Sequence, residues 1–219
     1  PNSPIANARL ILNKKKELFL IANENNLKNL LLDKKIKKKQ ILPINSLPQF
    51  LDKLKGKNFI IDNKTCSIFY EKIIKSKFNI LKFDDPVYEL KSIKNSSEIK
   101  HMIEAHKKDG LALTRFIYWI KNINKKKITE VYAQNKLEKF RKLNKDYLFP
   151  SFDTISGAGS NGAIVHYRAN KKTTKKIEQS DILLVDSGGQ YHYGTTDVTR
   201  TISFSKQNKF IKNAYTNVL

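Results

Sequence analysis

The sequence lacks the features typical of disulfide-bonded, membrane-spanning or disordered proteins. Cys66 is the only cysteine, so an internal disulfide framework is excluded and a reducing, cytoplasmic location is expected. Cys66 is followed closely by an apolar run at residues 68–70, which predicts a buried structural thiol rather than a nucleophile. No apolar run reaches the roughly 18 residues that span a bilayer, so no membrane partner is expected.

The N-terminus lacks the features of a secretory signal. Residues 1–4 (PNSP) contain neither an initiating methionine nor a charged segment followed by an apolar one, and we interpret them as a cut end. Glycine and proline are scarce, at 8 and 6 residues, while hydrophobic residues make up 40% of the chain. This composition is typical of globular domains, and 219 residues suffice for one large or two modest ones.

The chain carries a formal net charge of +22, but arginine is scarce. Only five of its 42 basic residues are arginine, the side chain best suited to bidentate recognition of phosphates and bases. The lysines form scattered runs, and none occurs in residues 151–170 or 177–205, which carry the motifs described below. We therefore interpret the charge as a solvated basic surface and expect no nucleic-acid partner. The alternative, a basic nucleic-acid binder, is disfavoured by the two lysine-free segments.

The first 88 residues alternate short apolar runs with lysine-rich polar stretches. Residues 8–13, 17–22 and 59–62 predict strands, the first two joined by a hairpin turn at three lysines, and residues 48–55 predict a helix. No catalytic pattern is visible in this α/β module. The pattern breaks at residues 84–86 (DDP), because a residue before proline is pushed out of helical geometry. We place the domain boundary there, which gives domains of residues 1–88 and 89–219.

Two helices are predicted after this boundary. Asn95 and Glu98 have the spacing of a capping box, and apolar residues follow at steps of three and four as far as Ile120. Thr129 has the position of an N-cap for a second helix, which carries Ala133 and further apolar residues. We interpret both helices as structural.

Two aspartates in the C-terminal third have the spacing of a paired site. Residues 182–186 (ILLVD) form an apolar strand pattern that ends in Asp186, and residues 195–202 (TTDVTRTI), rich in β-branched side chains, contain Asp197. An antiparallel hairpin centred on residues 191–192 places Asp186 opposite Asp197, about 5 Å apart at the backbone. Two ionised carboxylates that close repel each other, so a bound cation is the favoured interpretation. The alternative is that one ends a strand and the other is merely exposed.

The segments around these aspartates resemble a known family. Residues 186–191 (DSGGQY) and 194–201 (GTTDVTRT) resemble the first two metal-ligand motifs of the pita-bread metallopeptidases, and the second is similar to aminopeptidase P of the three-domain, cytosolic type. Residues 152–156 (FDTIS) and 161–167 (NGAIVHY) resemble the substrate-site strand of that family. The N-terminal module resembles the creatinase-like domain more weakly.

The resemblance implies an α/β (α+β) fold class. The chain would consist of a partial creatinase-like domain in residues 1–88 and the first half of a pita-bread catalytic domain in residues 89–219. In the family, two aspartates, one histidine and two glutamates hold two divalent metals, and the last three come from segments downstream of the second aspartate. The chain ends at Leu219, 22 residues after Asp197, so we interpret it as a fragment truncated at both ends and expect it to be inactive alone.

The resemblance also implies an activity and residue roles. A complete enzyme would hydrolyse the bond between an N-terminal residue and a following proline. Asp186 and Asp197 would bind two divalent ions, Mn²⁺ or alternatively Zn²⁺, which share a hydroxide. His166 would lie beside the bound peptide as a catalytic residue, and Thr199 and Arg200 would orient the carboxylates. The implied partners are peptides with proline in second position, in a cytoplasmic protein that is a homodimer when full length.

Three alternatives stay open from the residues alone. The first is a prolidase-type dipeptidase, which differs from aminopeptidase P in acting on dipeptides rather than on longer X-Pro peptides. A non-catalytic pita-bread binding module is disfavoured because Asp186 and Asp197 are both present. His166, finally, is either a substrate-site residue or a core histidine on a strand.

Overall fold

The computed structural model describes residues 7–124 and 128–219. These residues form two compact units, an N-terminal unit that ends at Ile93 and a C-terminal unit that begins at Lys94. The interpretation of residues 1–4 as a cut end concerns residues outside the described ranges.

The N-terminal unit contains a three-stranded sheet and a separate two-stranded parallel sheet. Its strands and helices are β1 (Arg9–Leu12), β2 (Leu18–Ile21), α1 (Lys28–Leu32), β3 (Ile41–Leu42), α2 (Leu47–Lys53), β4 (Asn58–Ile61), α3 (Ile68–Lys75), β5 (Asn79–Lys82) and α4 (Pro86–Ser92). Strands β1 and β2 pair antiparallel, β3 joins β2 in parallel, and β4 pairs with β5. The core is built from buried side chains of both sheets, of α2, and of α3 and its C-terminal end: Ile11, Ile21, Leu47, Leu51, Ile61, Ile74 and Phe78.

Local sequence signals explain most of this unit. The predicted hairpin and strands are confirmed, and the helix predicted near Pro48 begins at Leu47, with proline in the first turn where its missing N–H is not needed. Cys66 is half-buried against the core rather than fully buried, and desolvation raises the pKa of its thiol. Asp85 accepts a hydrogen bond from the Val87 amide at 2.9 Å, so the break at residues 84–86 starts the short helix α4.

The C-terminal unit packs two helices against antiparallel strands. Its elements are α5 (Ser96–Asn122), α6 (Glu130–Arg141), β6 (Tyr147–Pro150), β7 (Ile155–Ala158), β8 (Ile182–Ser187), β9 (Gly189–Tyr191), β10 (Gly194–Thr195), β11 (Val198–Ser203) and α7 (Lys209–Val218). The strands form two three-stranded sheets, in the orders β10-β9-β6 and β11-β8-β7. Strand β8 continues almost directly into β9, and β10 into β11, so one long hairpin contributes to both sheets.

Both predicted helix caps are confirmed. Asn95 and Glu98 form a reciprocal capping box at the start of α5, with hydrogen bonds of 2.8 and 2.9 Å. The Thr129 hydroxyl accepts the amide of Tyr132 at 3.2 Å at the start of α6. These caps fix where the two helices begin.

The core of the C-terminal unit lies between the two helices and one face of the β11-β8-β7 sheet. Its buried residues include Leu113, Phe116 and Ile120 of α5, Ala133 and Leu137 of α6, and Ala158, Leu183, Val185 and Ile202 of the strands. Successive strand residues point to opposite faces, so burial of Leu183 and Val185 turns Asp186 toward the other, more open face. Packing of the core thus determines which face carries this carboxylate.

Candidate metal centre

Asp186 is the next-to-last residue of β8 and is half-buried on the open face of its sheet. Its strand partner on β11 is Thr199. The Thr199 hydroxyl donates a hydrogen bond of 2.9 Å to Oδ1 of Asp186. This bond fixes the orientation of the carboxylate.

The predicted cross-strand pairing of Asp186 with Asp197 is wrong by two residues. The observed register pairs Tyr191 with Gly194, so the turn lies at residues 192–193 rather than 191–192. Tyr191 is fully buried and donates its hydroxyl proton to Asp109 at 2.9 Å, which keeps it within the strand. Thr199 consequently occupies the position that the sequence pattern predicted for Asp197.

Asp197 lies in the break between β10 and β11, where the hairpin passes from one sheet to the other, and its side chain is exposed. The preceding residue, Thr196, is fully buried and closely held. Its amide donates to the Gly189 carbonyl at 2.9 Å, its hydroxyl accepts from the Gly189 amide at 2.9 Å, and its carbonyl accepts from the Ser151 hydroxyl at 2.8 Å. Asp197 therefore projects from a fixed stretch of backbone, one residue beyond a buried anchor.

The same crossing requires glycine at position 188. A Cβ atom there would lie 1.9 Å from the Thr196 carbonyl oxygen and 2.3 Å from the Ser151 hydroxyl. The contact with the Thr196 carbonyl cannot be relieved without moving the backbone of the hairpin. Gly188 thus permits the close approach of the two strands between Asp186 and Asp197.

His166 lies outside regular secondary structure, in an exposed turn. The segment 161–167 was expected to be a strand, but it consists of the end of a 3₁₀-helix, Gly159–Ala163, and this turn. The interpretation of His166 as a core histidine on a strand is therefore wrong. Its backbone has φ of 53°, a left-handed conformation that is uncommon for residues other than glycine.

Arg200 contacts the backbone of its neighbour rather than a carboxylate. Its Nη1 donates to the Thr199 carbonyl at 2.8 Å, and its side chain is exposed. Alternation along β11 directs Arg200 and Thr199 to opposite faces. Of the two, only Thr199 has a hydrogen bond to Asp186 among the residues that the structure describes.

A buried ion pair underlies the hairpin and was missed by sequence reasoning. Arg141, at the end of α6, makes bonds of 2.7 and 3.1 Å to the two oxygens of Asp109 on α5, and both side chains are essentially inaccessible. Arg141 also donates to the Ser187 hydroxyl at 3.0 Å. Burial, followed by the negative charge of Asp109, raises the pKa of Tyr191. The network attaches both helices to the strand that carries Asp186.

A second, more accessible cluster anchors the hairpin turn. Lys108 on α5 contacts both Asp146 and the Tyr193 hydroxyl, which itself donates to Asp146 at 3.1 Å. The pKa of Asp146 is lowered, mainly by the hydrogen bond from Lys108. This cluster holds the turn of the hairpin against α5.

The donor set near the hairpin fits part of a divalent-metal site. Within residues 7–124 and 128–219, Oδ2 of Asp186 and both carboxylate oxygens of Asp197 accept no hydrogen bond and form no ion pair. Carboxylate oxygens are the donors that Mn²⁺ and Mg²⁺ prefer. The same residues contain no group of three or more His, Cys, Asp or Glu side chains arranged to hold a metal. The hairpin offers two carboxylates with accessible oxygens, fewer than the three side chains that such a group requires.

Comparison with known proteins identifies the class. Residues 100–219 match the model of metallopeptidase family M24, and residues 1–98 match that of the creatinase/prolidase N-terminal domain. The chain belongs to metallopeptidase family M24. The expected fold class, a creatinase-like module followed by part of a pita-bread domain, is confirmed.

Several similar proteins are named as Xaa-Pro aminopeptidases. A Xaa-Pro aminopeptidase of Drosophila melanogaster is 45% identical over 136 residues, and a probable Xaa-Pro aminopeptidase P of Paracoccidioides brasiliensis is 44% identical over 137 residues. Each alignment covers 61% of this chain but 22% of the relative. The resemblance to aminopeptidase P is thus confirmed, while the chain spans about a fifth of the length of these relatives.

Solved structures show the same fold. The cytosolic X-prolyl aminopeptidase of Caenorhabditis elegans, described as having a di-nuclear active site, superposes with a TM-score of 0.77 at 24% identity, over 96% of this chain and 36% of that one. Prolidase of Pyrococcus furiosus superposes with a TM-score of 0.75 at 26% identity, over 98% and 61%. Among the described helices of the present chain, none is both long and apolar enough to cross a bilayer.

Proposed function

We propose that the protein containing this chain is a metal-dependent aminopeptidase that hydrolyses the bond between an N-terminal residue and a following proline. The observation that carries this proposal is the hairpin of a family M24 chain with two carboxylates, Asp186 and Asp197, at the crossing between two sheets. The similarity to Xaa-Pro aminopeptidases at 44 to 45% identity supports the substrate class. Loss of the amide hydrogen at proline distinguishes such substrates from those of general aminopeptidases.

Asp186 and Asp197 would each contribute carboxylate oxygens to a site for two divalent ions. The hard carboxylate donors favour Mn²⁺, with Zn²⁺ as the competing metal. When bound, such a pair supplies a shared water acidified enough to attack a carbonyl near neutral pH, and a positive charge that polarises that carbonyl. The family resemblance implies that a histidine and two glutamates complete the ligand set.

The chain's own residues prepare this chemistry by fixing atoms in place. Thr199 holds the Asp186 carboxylate through the 2.9 Å hydrogen bond to Oδ1, which leaves Oδ2 directed away from that contact. Thr196 anchors the backbone from which Asp197 projects. His166, exposed in its turn, would hydrogen-bond the bound peptide or its tetrahedral intermediate, and Arg200 would stabilise the β11 backbone behind Thr199.

The remaining assignments follow from the same proposal. The creatinase-like domain comprises residues 1–88 and the pita-bread region residues 89–219. The full-length protein acts in the cytoplasm as a homodimer, on peptides with proline in second position. The isolated 219 residues are inactive, because the hairpin provides only part of the ligand set.

A prolidase-type dipeptidase is the second candidate, since the prolidase of Pyrococcus furiosus superposes over nearly the whole chain. The deciding experiment compares the full-length protein, loaded with Mn²⁺, on Ala-Pro and on Arg-Pro-Pro. An aminopeptidase cleaves the tripeptide efficiently, whereas a prolidase cleaves only the dipeptide. Absence of cleavage of both, with metal bound, would support the third candidate, a non-catalytic binding module.

A further inference from the structure

Glu130, the first residue of α6, is fully buried and receives hydrogen bonds from four other residues. Its Oε1 accepts the Ala158 amide at 2.8 Å and Nδ2 of Asn161 at 2.9 Å. Its Oε2 accepts the Tyr167 hydroxyl and the Lys175 amide, both at 2.8 Å. One carboxylate therefore joins α6 to the end of β7 and to three points in or near the irregular segment that follows.

The geometry requires a carboxylate rather than an amide. Each oxygen of Glu130 faces one backbone N–H and one side-chain donor, so a glutamine in either orientation would direct its NH₂ group at a backbone N–H. Four hydrogen bonds to a charged acceptor and the positive N-terminus of α6 offset the cost of burying the group. Desolvation, followed by the bond to Glu130, raises the pKa of Tyr167.

Tyr167 directly follows His166 in the chain. The amide of Tyr167 closes the turn by donating to the Ile164 carbonyl at 3.2 Å, and its hydroxyl receives a further bond from Asn161 at 2.9 Å. His166 occupies the third position of this turn with φ of 53°, a conformation that persists only where the surroundings impose it. The tyrosine beside it is the side chain by which Glu130 holds the turn.

We propose that Glu130 is the positioning residue for His166, acting through Tyr167 and Asn161 to fix the turn from which His166 reaches the substrate. The catalytic consequence of this role rests on the proposed function. The contacts by which Glu130 fixes the segment do not depend on that function. Glu130 touches neither substrate nor metal in this scheme. Its effect is transmitted entirely through the backbone geometry of the turn.

The test uses Tyr167→Phe and Glu130→Gln in the full-length protein, with kcat and KM for Arg-Pro-Pro and backbone hydrogen exchange as readouts. The matched control is Tyr147→Phe, because Tyr147 also donates to a glutamate of α6, Glu138, at 2.6 Å but lies outside the His166 segment. We expect Tyr167→Phe to lower kcat by roughly tenfold or more, since displacement by about 1 Å can cost a hundredfold. KM should change less, and exchange should accelerate only in residues 158–175.

A cycle with His166→Ala separates positioning from general stability. If Tyr167 acts through His166, adding Tyr167→Phe to His166→Ala causes no further loss of kcat. Multiplied losses, equal kcat in Tyr167→Phe and Tyr147→Phe, or unchanged exchange in the segment would each overturn the proposal. If the wild-type protein cleaves no X-Pro peptide, the proposed function fails, and the exchange comparison alone decides whether Glu130 holds the segment.

Discussion

Thr199 donates its hydroxyl proton to Oδ1 of Asp186 at 2.9 Å, directly across the ladder between β8 and β11. The bond occupies one carboxylate oxygen and restricts rotation of the group. A metal that binds through Oδ2 then meets a ligand whose orientation is already set. Groups that orient ligands in this way typically change metal affinity by about 10- to 100-fold when removed.

Thr199→Val should therefore weaken Mn²⁺ binding by about tenfold without altering the fold. The control is Thr201→Val, because Thr201 lies on the same face of β11, two residues further along and opposite Leu184. Calorimetric titration of the metal-free full-length protein measures the affinity. Equal Mn²⁺ affinity in both variants would contradict an orienting role for Thr199.

Asp186→Asn and Asp197→Asn should each abolish Mn²⁺-dependent release of the residue before proline. Loss of several kcal/mol of transition-state stabilisation corresponds to at least about a thousandfold in kcat/KM. Asp33→Asn serves as the control, since Asp33 is exposed and forms only a 3.8 Å ion pair with Lys35. Circular dichroism checks that the fold persists. Activity near wild type in Asp197→Asn would exclude Asp197 as a metal ligand.

The buried pair of Arg141 and Asp109 should be stabilising only while both partners are present. Arg141→Met leaves the Asp109 charge buried and unpaired, which costs about 3 to 5 kcal/mol, whereas Arg141→Met combined with Asp109→Leu should recover much of this loss. Urea unfolding can be followed by the fluorescence of Trp119, the single tryptophan of the 219 residues. Trp119 packs against the core of the C-terminal unit, so its signal reports the unfolding of that unit. Glu178→Gln, at an exposed 3.6 Å pair with Lys176, should change stability by less than about 1 kcal/mol. A similarly small effect of Arg141→Met would contradict the prediction.

The Lys108–Asp146 pair should make stability depend on acidity. Hydrogen bonding lowers the pKa of Asp146 in the folded protein, so its contribution is present above the unfolded value of about 4 and is lost as the pH falls through the folded value. Asp146→Asn should thus lower Tm at pH 7, and the difference from wild type should vanish in acid. Lys108 does not contribute to this pH dependence, because its pKa is raised and its charge stays constant throughout that range. A difference that stays constant with pH would exclude the pair as its cause.

The isolated 219 residues should not cleave Arg-Pro-Pro, even with excess Mn²⁺. Two octahedral-type ions need about ten to twelve donors between them, and the two aspartates supply only about four oxygens. Each ion would bind weakly and would not be held about 3.5 to 4 Å from the other. Chelator-sensitive turnover by the purified chain would show that other residues replace the missing ligands.

Local signals predicted the two long helices α5 and α6 well, the hairpin less well, and the short helices α1, α3 and α4 not at all. The caps at Asn95 and Thr129 were readable because capping depends on residues within one turn. The register of the hairpin was missed because the contacts around its turn are long-range, as in the bond from Tyr191 to Asp109, 82 residues away. Polar residues buried by tertiary structure leave no periodic pattern in the sequence.

Glu130 illustrates the same limit at the candidate site. In the sequence it is an ordinary acidic residue in the first turn of a helix, and its partners Ala158 and Lys175 lie 28 and 45 residues downstream. Arg141 offered a weak signal, since it is one of five arginines in a chain that otherwise uses lysine. By contrast, the strand pattern correctly placed Asp186 near the end of β8, but it did not place Asp197, which lies in the break between β10 and β11.

The placement of Asp186 and Asp197 on one hairpin has a consequence for the order of folding. Hairpins close within about 1 to 10 μs, well before distant parts of a chain of this size meet. The hairpin that carries both carboxylates can therefore begin to close early, but its observed register places the Tyr191 hydroxyl on Asp109 of α5, a contact that needs α5 to be in place. The final spacing of the two carboxylates is therefore set only after α5 has packed against the hairpin.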